Sequence, residues 1–63
     1  MTTYHASPAS MTYAPGKWFT TALEALRYAR EASATFRVGY VAWEIQAGRP
    51  KRLATFTPDD NRP

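Results

Sequence analysis

The sequence predicts an α+β domain in which one helix packs on a small antiparallel sheet, in the order ββαββ or βαββ. Three observations carry this reading. One stretch, from Thr21 to about Ala34, repeats apolar residues at helical spacing. Two later stretches, Phe36–Gln46 and Lys51–Thr57, are rich in β-branched and aromatic residues and flank a Gly- and Pro-bearing turn. Finally, 63 residues without cysteine allow one small core and no disulfide. A chain of this size buries only about 60% of its unfolded surface, so association with a partner or a second copy is the remaining way to add buried area.

The first segment reads "TYHA-SPAS-MTYA". Two short runs of β-forming residues flank Ser7-Pro8-Ala9-Ser10, which has turn chemistry, and a small hairpin is expected there. Pro15-Gly16 then breaks the chain, and Gly16-Lys17 reads as a turn before the helix. Thr21-Ala22-Leu23-Glu24 has the Thr-x-x-Glu spacing of a capping box, in which hydroxyl and carboxylate each satisfy a free backbone N–H. Ala22, Ala25, Leu26, Ala29 and Ala32 follow as one stripe, made mostly of alanine, that lets the helix lie close to a sheet. Glu24, Arg27, Arg30 and Glu31 form the opposite, solvent-facing side, spaced for local ion pairs.

The period changes after Thr35. "FRVGYVAWEIQ" is long enough to cross a sheet, and a four-residue loop at Ala47-Gly48-Arg49-Pro50 returns the chain into "KRLATFT". Pairing Gln46 with Lys51 sets Val41, Trp43 and Ile45 with Ala54 and Phe56 on the buried face. Phe36, Val38 and Tyr40 then project the other way. Either a bulge near Gly39 shifts the register, or both faces carry apolar surface and the chain forms a homodimer or takes a partner. Residues 58–63, "PDDNRP", close the single domain 1–63 as a polar tail.

Composition narrows the chemistry. Two tryptophans, four tyrosines and three phenylalanines mark a folded chain. The first residues carry no basic region followed by an apolar run, and no stretch is long and apolar enough for a membrane span, so a cytoplasmic location is expected. Catalysis lacks an inventory: His5 is the single histidine, and the five carboxylates lie beside arginines, in the tail, or in a strand near cations. No ligand spacing suggests a metal, no phosphate-binding loop is present, and neither an enzyme nor a cofactor is expected. "GYVAW" departs from the aromatic strand of RNA-recognition motifs, with Val38 at the basic position and Val41 where a small residue belongs.

What remains is charge. Eight basic and five acidic residues give a net +3, and between Ala47 and Thr57 there are three cations and no anion. Arg49, Lys51 and Arg52 sit around the expected hairpin tip, where they either guard an edge strand or contact phosphates or an acidic protein patch. Arg37 beside Tyr40 offers a further contact, a ring and a cation able to stack on a base or a side chain.

The pattern "TALEALRYAREASATFRVGYVAWEIQAGRPKRLATF" resembles, in size and organisation, the small accessory proteins of phages and mobile elements of the anti-CRISPR type. That resemblance implies a non-enzymatic inhibitor that binds a host protein complex, such as a CRISPR effector, in the host cytoplasm and blocks its engagement of nucleic acid. The reading from another class is a small basic protein that binds nucleic acid directly through the hairpin-tip cations.

Overall fold

A computed structural model of the chain describes residues 2–9 and 16–58. Its elements are β1 (Thr2–Pro8), β2 (Lys17–Phe19), α1 (Ala22–Phe36), β3 (Tyr40–Gln46) and β4 (Arg49–Phe56). The four strands form one antiparallel sheet in the order β2-β1-β3-β4. With α1 packed across one face, this is the expected α+β fold in its ββαββ form.

The helix begins where its cap dictates. Thr21 is extended (φ −129°, ψ 152°), and its Oγ1 accepts the Glu24 backbone N–H at 3.3 Å. The reciprocal half differs from a full capping box. The Glu24 carboxylate accepts from the hydroxyls of Thr21 at 2.9 Å and Thr20 at 3.4 Å. At the other end α1 runs on to Phe36, and β3 starts at Tyr40, so the expected strand Phe36–Gln46 is four residues too long. Packing explains the extension: the Phe36 ring stacks on Tyr40 with centroids 6.4 Å apart. Arg37 then ends the helix in the left-handed region (φ 57°), a place usually filled by glycine.

The N-terminal hairpin forms with different strands from those expected. Ser7 and Pro8 continue β1 opposite Val41 and Tyr40, and the Ala9 N–H donates to the Gly39 carbonyl at 2.7 Å. The partner strand is Lys17–Phe19, whose first residue was read from sequence, with Gly16, as a turn before the helix; the expected second segment, Met11 to Ala14, lies outside the described residues.

Between β3 and β4 the loop is two residues, Ala47-Gly48, both at positive φ (53° and 77°) as a type I′ turn requires. Gln46 therefore pairs with Arg49, not Lys51, and Trp43 with Arg52. A bulge between Ala42 and Trp43 leaves Leu53 as an extra residue on β4, because Ala42 pairs with Ala54. It restores the pairing of Tyr40 with Phe56 and aims Leu53 at the core.

Of the residues expected on the buried face, Phe56 packs against the core and Val41 is buried, whereas Trp43 and Ile45 are only half-buried and lie outside the core cluster. Ala6, Tyr40 and Ala42 from the sheet meet Ala29 and Ala32 from the helix, with Phe19, Leu26, Tyr28, Val38, Leu53 and Phe56 around them. An alanine-faced helix sits too close to leave room for Trp43, but Ala6 and Ala42 fit beneath it and Tyr40 fills the flank. By strand alternation Val41, Trp43 and Ile45 point away from α1, and on that face Val41 is buried while Trp43 and Ile45 are half-buried.

Candidate functional site

The face turned away from α1 is built in cross-strand rows. Phe19 packs in the core, so its neighbour Trp18 points outward; Ala6 is in the core, so His5 and Ser7 point outward. The registers then align Trp18 with His5, His5 with Trp43, and Trp43 with Arg52. The result is one row, Trp18–His5–Trp43–Arg52, across all four strands. Thr3, Ile45 and Pro50 flank it on one side, and Ser7, Val41 and Thr55 on the other.

Each member is held differently. Trp18 is 61% exposed and lies against the His5 imidazole, with centroids 4.4 Å apart and planes tilted by 46°. Gly16 closes on the same imidazole: a Cβ there would come within 3.2 Å of the ring and of the Ala6 carbonyl. Burial between these groups pushes the His5 pKa below 6.5, toward the neutral ring. The Trp43 indole N–H donates to the Ser7 hydroxyl at 3.3 Å, which fixes the orientation of the ring. Arg52 ends the row, exposed and without a carboxylate on that face among the described residues. Beside Trp18, at the β2 edge, the surface hollows to about 480 Å3 between Thr3, Lys17, Phe19, Thr20 and Glu24.

The residues singled out from sequence are dispersed by the fold. Arg49, Lys51 and Arg52 are all exposed on β4, but strand alternation separates them. Arg52 shares its face with Trp43, whereas Lys51 pairs with Glu44 and Arg49 with Gln46 on the other side. Arg37 is exposed at the end of α1. Tyr40 is fully buried, so it is a core residue and offers no contact surface. Its hydroxyl pKa is raised by that burial and by Tyr28. The aromatic surface lies instead in Trp18, His5 and Trp43. Two signals pointed to them: the alternation Thr3-His5-Ser7, and the adjacent β-formers Trp18-Phe19 after Gly16.

Among the described residues no group of three or more acidic or histidine side chains gathers to hold a metal, and no helix is long and apolar enough to cross a membrane. Compared with known proteins, the chain matches no family model, no curated protein and no solved structure.

Proposed function

We propose that this chain is a non-enzymatic binding protein that holds a macromolecular partner against the open face of its sheet. The observation that carries the reading is the row Trp18–His5–Trp43–Arg52. Tryptophan and arginine dominate the energetics of contact surfaces, because they combine large area with a directional polar group. Two of the rings are fixed before any partner arrives, Trp18 by His5 and Trp43 by Ser7, so little ordering is left for binding to oppose.

The test is capture from a lysate with the wild-type chain, with Trp18→Ser/Arg52→Ser on the open face, and with Arg27→Ser/Glu31→Ser on the helix. A component held by the wild type and the helix variant, and lost from the face variant, supports the assignment. Retention by the face variant with loss from the helix variant overturns it. Running each arm with and without nuclease separates two kinds of partner. A protein complex that survives nuclease and depends on Trp18 would make the partner a protein, as the anti-CRISPR-type reading requires.

A further inference from the structure

We infer that the occupant of the open face is single-stranded nucleic acid, with bases stacked along the Trp18–His5–Trp43 row and the backbone held by Arg52; this rests on the assignment of that face as the contact surface. Ring chemistry is the first argument. Two indoles, Trp18 and Trp43, stand on either side of the His5 imidazole, which is itself packed against Trp18 and Gly16, and because neighbouring strands are about 4.8 Å apart, the row from β2 to β4 spans roughly 14 Å. A sheet that presents aromatic rings from adjacent strands can stack about two or three unpaired bases. Stacking of this kind tolerates any sequence, since every base has a π face.

Charge is the second argument. The described part of the face carries Arg52 and no carboxylate, within a chain of net +3. A phosphate chain meets that cation at the β4 end of the row, away from Glu24 in the hollow beside Trp18. Between the rings lie small hydroxyl groups, Thr3, Ser7 and Thr55, able to donate to phosphate or sugar oxygens.

Area is the third, and it decides against a second copy. Three full strands about 23 Å long, set about 4.8 Å apart, offer a projected footprint of roughly 330 Å2. A stable protein interface uses about 800 Å2 from each partner. The fourth strand, β2, adds only three residues. A slim ligand fits a face of that size, which is smaller than a stable protein interface needs.

The experiment titrates the full chain with ten-nucleotide oligodeoxythymidylate, oligouridylate and a mixed-sequence DNA duplex, following tryptophan fluorescence at several salt concentrations. The expected result is quenching by either single strand, with the duplex at least tenfold weaker. The ratio of the two single strands tells whether DNA or RNA is preferred. Trp18→Ala should weaken binding by about tenfold or more, as loss of one stacked base requires. Arg52→Ser should lower the slope of log affinity on log salt by about 1. Arg27→Ser, on the helix face, should stay within twofold of wild type. Trp18 is exposed, so an unchanged circular dichroism spectrum and melt will show that its variant is folded.

Two results would overturn the inference. In one, neither single strand quenches the fluorescence. In the other, the duplex binds as well as the single strands and Trp18→Ala changes nothing, which means phosphate contact alone. If the first occurs while Trp18→Ser/Arg52→Ser still loses a nuclease-resistant protein from the lysate, the open face remains the contact surface and its occupant is a protein.

Discussion

At the scale of single residues, backbone strain and buried polar groups mark where this small fold is far from optimal. Ala47 holds φ 53° in a type I′ turn, a conformation that disfavours a Cβ unless the side chain is Asn or Asp. Ala47→Asn should therefore raise stability by about 0.5–1 kcal/mol, read as a higher midpoint in urea with an unchanged slope. Ser33, within α1, is fully buried, and its hydroxyl finds no hydrogen-bond partner among the described residues. Ser33→Ala removes that desolvated oxygen and improves helix propensity, and a gain of about 1 kcal/mol is expected in the same assay. His5 gives the fold a pH dependence. With its folded pKa below 6.5, the unfolded chain binds a proton that the folded chain resists. Stability is then present above about pH 6.5 and declines as pH falls through the folded value. Thermal melts between pH 7.5 and 5 should show this decline, and His5→Gln should flatten it.

At the scale of elements, the question of which sheet face is buried has a direct test. Tyr40 is the largest fully buried side chain among the described residues, so Tyr40→Ala should cost about 3–5 kcal/mol and leave the domain unfolded or nearly so at room temperature. Trp43 is only partly covered, and Trp43→Ala should keep a cooperative melt at a loss of about 1–2 kcal/mol. The reverse order of effects would put the helix on the other face. Sequence alone favoured that other face, because Val41, Trp43 and Ile45 are more apolar than Tyr40, Ala42 and Glu44. Hydropathy cannot weigh the closeness of an alanine helix, which admits Ala6 and Ala42 and excludes an indole. The start of α1 was legible because Thr21 and Glu24 act locally. Its end was not, since Phe36 is held in the helix by a ring four residues further on. The β3–β4 register was hidden for a similar reason. Ala47-Gly48 lacks the Asn-Gly signature of its turn, and Pro50 looked like loop although it lies on an edge strand that tolerates it. Of the candidate site, Arg52 was visible from its charge, but its place beside Trp43 depends on that register.

At the scale of the whole molecule, the exposed strand β4 carries Arg49, Pro50 and Lys51 toward its start and a bulge at Leu53, features that oppose edge-to-edge pairing. Together with the small footprint of the open face, this leads to an expected monomer in sedimentation at tens of micromolar. A dimer that Trp18→Ala dissociates would contradict it. The core also has a thermodynamic consequence. Among the described residues the buried apolar side chains are Ala6, Ala25, Ala29, Ala32, Tyr40, Val41 and Ala42, five of them alanines, which withdraw little hydrocarbon from water. Heat capacity of unfolding follows the apolar area exposed, about 12–15 cal/mol/K per residue in ordinary domains, and should fall below that range here. Calorimetry should record a broad transition and a shallow stability curve, in which warming or cooling by tens of degrees changes the folded population gradually. A protein built in this way keeps its binding face presented over a wide temperature range, yet has little reserve against any single core substitution.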